Sequence, residues 1–358
     1  MTQAVRVSCG GSSYTWEEDW ACPAEDEVSG GWAHNGLAVT SDQRVIGFQS
    51  GGDSVFIYDQ DGGLVKSWPT GLVDGHGITL TSSGEERVER VWIADPGFAF
   101  VPSTFDGGGA LDHGVPLPDL PWPGYKMHAP NGGEGHGRVA SFDLNGNRLS
   151  DLPTPHTSAY SSGRYAPTAV AIDDQAGGSG AIWVADGYGQ NLVHRFSRSG
   201  QLELTLTGEE GAGRFDCPHC VFIDRRRAEP RLYITDRANS RLQVYGQDGR
   251  FLHVVANGLH SPSALATFDD LMIVGELNAR LTVLDRNDCL VGYLGCDDQA
   301  SLRIGWPNAL DEGQTIRPPE LSPGSFNSPH AVAVNAAGDI YVAEWLIGPR
   351  LIRLRLDR

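Results

Sequence analysis

Six cysteines in 358 residues are too few to staple a small scaffold through disulfides. Cys9 with Cys22, or Cys289 with Cys296, could pair in an oxidising compartment. The opening stretch from Met1 to Gly10, however, has no basic run followed by an apolar core, so reduced thiols are expected. Long apolar runs are also missing; none approaches the roughly 20 residues that span a bilayer as a helix. Basic residues are scarce, with 27 Lys and Arg against 45 Asp and Glu, and the formal charge of −18 would repel a nucleic acid or an anionic membrane. These absences predict a soluble, cytoplasmic protein whose partner is a small-molecule or short peptide-like substrate. They leave the oligomeric state open.

What is plentiful is glycine, at 46 residues, together with 21 prolines and 40% apolar residues spread along the whole chain. That mixture suits many short strands joined by tight turns rather than long helices. The length alone would allow two domains, so internal periodicity has to decide. A phrase does recur: a small or polar residue, a few alternating apolar residues, a turn, a second strand with an acidic end, then a third strand. PTAVAID from Pro167 leads to IWVADGYGQNLVHRF, PHCVFID from Pro218 to LYITDRANSRLQVY, and PHAVAVN from Pro329 to IYVAEWLIGPRLIRL. Further copies start at Pro262 (PSALAT), at His76 (HGITL, then VWIADPG and RVASFDLNGN) and at Asn35 (NGLAVT, then RVIGFQSGGDSVFIYDQDG).

Period-two alternation marks half-buried strands, and turns such as Asp61-Gly62, Asn145-Gly146, Ser199-Gly200 and Asp248-Gly249 mark hairpins. Six such units predict an all-β, six-bladed β-propeller occupying residues 1–358 as a single domain. The last copy ends at Arg358 after three strands, so a strand from the 1–30 segment, Ala4 to Val7 or Ser13 to Trp16, is expected to complete it and close the ring. Two stretches break the period: 98–137 inside blade 2, which carries His113, Tyr125, His128 and His136, and 297–325 before blade 6. Both are expected to cover a functional face.

Aligned at the start of the first strand, blades 1 to 6 carry Asn35, His76, Thr168, His219, Ser263 and His330. Histidines in alternate blades stand about 120° apart around the axis of a six-fold ring, where three imidazoles can converge on one metal and leave a position for water or substrate. Zinc suits such a site, and so do other divalent transition metals. Cys217, before Pro218, is a further candidate ligand, whereas Cys220 is expected to pack between blades. Second strands end in Gln49, Asp95, Asp186, Asp236, Glu276 and Glu344, and a residue type repeated so regularly is expected to bind backbone within its own blade. The residues that follow vary and are better candidates for chemistry. On this face Gln49, Ser50, Thr168, Ser263 and Trp345 are expected to contact substrate.

At these residues the chain resembles the NHL-repeat propellers, and among them peptidyl-α-hydroxyglycine α-amidating lyases. The likeness runs over about Asn35 to Arg358, through DGHG at Asp74 to Gly77, VADGY at Val184 to Tyr188, PH at Pro218, TDRANSRLQVY from Thr235 and SPH from Ser328. It implies that zinc is held by His76, His219 and His330, that Tyr188 is the base toward the substrate hydroxyl, and that Arg237 binds a carboxylate. In that family a carbinolamide is split into an amide and glyoxylate. Ser50 stands where the family has an arginine, and Ala331 where it has the aspartate of a structural calcium site. The zinc chemistry is therefore expected without calcium and on a different hydroxylated, carboxylate-bearing substrate, with a C–N or C–O bond cleaved. Two alternatives remain: a non-catalytic NHL binding module with a structural metal, and a hydrolase of the lactonase type.

Overall fold

The computed structural model describes residues 4–18, 20–21, 31–83, 88–103, 124–129, 136–175, 177–256 and 258–358. Cys22 and His113 lie outside them. Six antiparallel sheets follow one another along the chain, at 38–69, 77–152, 169–206, 218–255, 262–294 and 329–356, and make the six blades of a β-propeller. Among the described residues the only helical turns are the 3₁₀ segments Ser158–Tyr160 and Ala300–Leu302.

Position within a blade decides burial. The second strands Val45–Phe48, Ile182–Asp186 and Ile340–Glu344 are buried at every residue, whereas the outermost strands Leu64–Pro69 and Arg148–Leu152 each bury a single one. Each blade has two apolar faces and covers them on its neighbours, so the core is divided among the interfaces. Ile46, Ile57 and Val55 meet Ile78, Val91 and Ile93 between blades 1 and 2, and Tyr233, Leu242 and Val244 meet Leu265, Met272 and Val274 between blades 4 and 5. Ala264, Ile273 and Leu281 do the same with Val332, Ile340 and Val342 between blades 5 and 6. A core arranged around the ring leaves its axis open, as a channel of about 380 Å³ lined by first strands of all six blades.

The ring is closed by the N-terminal segment. Ser12–Glu17 pairs antiparallel with the last strand, Leu351–Leu356, and places Tyr14 and Trp16 in the cluster between blades 5 and 6. Arg6–Cys9 then adds a fifth, outer strand. Ion pairs reinforce the seam: Glu17 with Arg353 and Arg355, and Glu18 with the buried Arg350, which also meets Glu344.

Two additions stand outside the blade pattern. Within blade 2, Ala99–Pro102 pairs with Tyr125–His128; before blade 6, Ala309–Leu310 pairs with Ile316–Arg317. The described cysteines, Cys9, Cys217, Cys220, Cys289 and Cys296, are all free. Cys220 packs between blades 4 and 5, where burial pushes its thiol up to about 12.

Candidate metal centre

First strands aim their opening side chains at the axis, and in three blades a bulge does the aiming. The register between first and second strands slips by one residue across Pro218/Val221, Pro262/Ala264 and Pro329/Ala331, so an extra residue stands beside the ladder at His219, Ser263 and His330. An extra residue kinks the strand and turns its side chain out of the regular in-and-out alternation. His76 and Thr168 immediately precede the first paired residues of blades 2 and 3, Gly77 and Ala169, and need no bulge.

The three predicted histidines form a nearly equilateral triangle, with ring centroids 4.7, 4.7 and 4.9 Å apart. All are buried. Each turns Nδ1 to a carbonyl oxygen of the next blade: His76 to Thr168 at 2.6 Å, His219 to Ser263 at 2.8 Å and His330 to Asn35 at 3.4 Å. A carbonyl only accepts, so Nδ1 carries the proton and Nε2 keeps its lone pair. Burial holds all three rings well below the usual histidine range, with Arg237 adding to the effect, so they remain neutral. Neutral imidazoles with free Nε2 lone pairs are in the ligand state.

The hydroxyl of Tyr188 reaches into this group, 3.3 Å from His76 Nε2 and 3.1 Å from His219 Nε2. Burial raises its pKa, so the phenol is protonated. Arg237 Nη1 donates to the same hydroxyl at 3.2 Å. Among the described residues no carboxylate lies within ion-pair distance of Arg237, so its charge faces the site uncompensated.

A fourth histidine, absent from the repeat alignment, completes the cluster. His34 places Nδ1 2.7 Å from Asp74 Oδ2 and Nε2 3.0 Å from the Tyr188 hydroxyl. Burial takes its pKa down to about 3, again with help from Arg237. One ring nitrogen from each of His34, His76 and His330 lies within 4.8 Å of the others, so the buried three-histidine group that could hold a metal ion takes in His34 where the sequence pointed to His219. His330 Nε2, buried and without a hydrogen-bond partner, fits that use. A signal for these residues was present in the sequence. His34 precedes the aligned Asn35 by one residue, and Asp74 opens the DGHG motif.

No family model matches the chain. Over 261 residues, 69% of its length, it is 28% identical to NHL repeat-containing protein 3 of Mus musculus and 27% identical to the Homo sapiens protein of that name. The matched stretch spans 63% of those relatives. The chain is a six-bladed propeller with NHL-repeat relatives. It is also 26% identical, over 184 residues, to the peptidyl-glycine alpha-amidating monooxygenase of Mus musculus, which takes in 50% of this chain and 17% of that protein. Among solved structures, streptogramin B lyase superposes with a TM-score of 0.55 at 11% identity, covering 98% of this chain and all of that one. Virginiamycin B lyase from Staphylococcus aureus gives 0.53, also at 11%. Identity that low speaks for the fold alone.

In this propeller both additions meet above the histidines. Phe98, Phe100 and Met127 from blade 2 and Ile316 and Leu310 from the later hairpin join Trp32, Ile347 and Trp345 in one apolar cluster that includes Tyr188. Phe100 lies 5.4 Å from the His34 ring and Phe98 5.8 Å from Tyr188. Trp345 stacks on Trp32 at 5.3 Å and is 6.3 Å from His34. The hydroxyl of Thr168 is engaged with the Ala185 and Pro218 carbonyls and that of Ser263 with Ser261, so what these two residues turn to the site is a carbonyl oxygen. Ser50 is buried and receives the side chain of Asn35 at 3.3 Å, while the backbone of Gln49 pairs with Ser54.

Four acidic strand ends bind backbone within their own blade. Asp95 accepts from Val73, Asp74 and Gly97, Asp186 from Ala166 and Gln190, Asp236 from Asp216, and Glu344 from Asn327 and Ser328. They hold the loops that carry the site.

Proposed function

We propose that the protein is a metal-dependent lyase, with zinc as its ion, that cleaves a C–N or C–O bond of a small hydroxylated, carboxylate-bearing molecule at the axis of the propeller. One observation carries the reading: imidazoles from alternate blades, their Nδ1 atoms tied to carbonyls of the next blade, stand together at the axis, and two of them, His76 and His219, meet a tyrosine hydroxyl that a guanidinium also touches. A structural metal would need the ligands but not the phenol and the uncompensated cation beside them. The likeness to a peptidyl-glycine alpha-amidating enzyme over half of the chain supports a peptide-like substrate with an amide group.

A divalent metal, when bound, supplies Lewis acidity that lowers the pKa of a substrate hydroxyl. The protein's own groups do the rest. His76, His219 and His330 would hold the ion, and their carbonyl partners fix their rings. Tyr188 would serve as the base once its own proton had been drawn off by the bound cation and Arg237, and would then take the hydroxyl proton; the C–O electrons would form a carbonyl, the neighbouring C–N bond would break with its pair on nitrogen, and the proton would pass there. Arg237 holds the anionic end, and the aromatic cluster of Trp32, Phe98 and Phe100 excludes water from the other side.

An α-hydroxylated amide with a carboxylate is the substrate to assay first. Tyr188→Phe is expected to lower kcat roughly 10²–10⁴-fold, the usual contribution of a placed general base, while metal content stays at the wild-type level. Unchanged turnover in that variant would remove Tyr188 from the mechanism.

A further inference from the structure

Buried hydrogen-bonding groups can be counted, and here the count does not balance. The rings of His76, His219 and His330 have protons on Nδ1, given to carbonyl oxygens, and His34 Nδ1 is tied to the Asp74 carboxyl group at 2.7 Å. Three Nε2 lone pairs are therefore left facing the Tyr188 hydroxyl or one another, and a ring nitrogen of His34 lies within 4.8 Å of those of His76 and His330. The Tyr188 hydroxyl, at 3.0, 3.3 and 3.1 Å from the Nε2 atoms of His34, His76 and His219, has one proton to donate. Arg237 spends its bond in this volume on the tyrosine oxygen. At least two buried acceptors are left over, and His330 Nε2 is the plainest, with no partner at all. Leaving buried acceptors unmade costs about 1–3 kcal/mol each, whereas a cation satisfies all of them together.

We propose that His34, oriented by Asp74, is a fourth ligand of the metal, so that the ion sits among four imidazoles. The inference rests on the metal reading above and adds to it a residue outside the repeat. His34 differs from a packing histidine in the same ways the other three do: its Nδ1 is anchored, its Nε2 points to the common centre, and its ring is 4.5 Å from His76 and 4.8 Å from His330. Its anchor is a carboxylate rather than a carbonyl, and a carboxylate on the far nitrogen makes an imidazole a better donor to a metal. Asp74 is itself placed by Asp95, which accepts its backbone N–H at 3.2 Å. Zinc with four imidazoles has no vacant tetrahedral position, so a substrate oxygen would enter as a fifth ligand.

The test titrates the apoprotein with Zn2+ against a competing chelator and counts imidazole ligands by X-ray absorption, for wild type, His34→Gln, Asp74→Asn and His330→Gln. Four imidazoles are expected in wild type and Asp74→Asn, and three in His34→Gln. Zinc affinity should fall roughly 10–100-fold in Asp74→Asn, the usual loss for an outer-shell partner, and at least as far in His34→Gln. Asp74→Asn is nearly isosteric and keeps the question open to measurement should His34→Gln fail to fold. Wild-type affinity in both His34→Gln and Asp74→Asn, alongside loss of zinc in His330→Gln, would overturn the fourth ligand and leave the three-histidine reading standing. A folded wild-type protein that takes up no Zn2+ would overturn both.

Discussion

An imidazole serves as a ligand only while it keeps a lone pair, and this protein secures that by anchoring one nitrogen and burying the ring. The anchor fixes which nitrogen is free; the burial keeps the proton off it. Arg237 is the counterpart on the substrate side. A buried charge without a carboxylate partner is expensive, and an anionic substrate would relieve it. Arg237→Gln should therefore lower kcat/KM for a carboxylate-bearing substrate roughly ten- to a hundred-fold, in line with about 1.5–3 kcal/mol for a hydrogen bond to a charge. An uncharged analogue should lose far less. Equal losses on the two substrates, in steady-state kinetics, would assign Arg237 to holding Tyr188 rather than the anion. At this scale the sequence identified residues that share a blade position and passed over His34, because its reach depends on a loop path rather than on the repeat.

Elements set the precision of the site. Bulges at His219, Ser263 and His330 turn first-strand side chains to the axis, and the acidic ends of second strands pin the preceding loops. Alternation and turn residues made the blades legible, whereas a bulge has no pattern of its own and shows only in the register. Elsewhere a polar knot ties blade 4 to blade 5. Asp288, in a hairpin turn of blade 5, meets Arg226, Arg227, His253 and the Tyr233 hydroxyl of blade 4. Burial alone would raise its carboxyl, but bonds from His253 and Tyr233 and the charges of Arg227 and Arg226 bring it down to about 2. A carboxylate depressed on folding stabilises above its unfolded pKa of 3.8, and that contribution is lost as pH falls through about 2. Asp288→Asn should thus cost about 2 kcal/mol at pH 7 in urea unfolding, with the gap to wild type closing below pH 4. A gap that is constant with pH would show that the charge is not what binds the two blades.

For the whole molecule, closure of the ring is the condition for everything at its axis. The triangle of histidines exists because alternate blades are held at fixed angles, and Ser12–Glu17 completes the circle by pairing with Leu351–Leu356. Deleting residues 1–18 would strip Tyr14 and Trp16 from the interface and expose a strand edge, so aggregation and a lower Tm by light scattering and calorimetry are expected. A truncated protein that stays monodisperse with wild-type Tm would deny that role. The repeat count made the closure legible, since a last blade with three strands demands a fourth. What covers the histidines was less so: the aromatic cluster joins Trp32, Phe100 and Ile316 from separate segments, and no local pattern links them. Metal content is the most direct readout of the site at the axis. Elemental analysis of purified wild type beside the double variant His76→Ala/His330→Ala, which leaves too few imidazoles to hold an ion, should find about one zinc-like ion per chain in the first and little in the second. A wild type without metal, or a double variant that retains it in full, would contradict a metal centre built from these histidines.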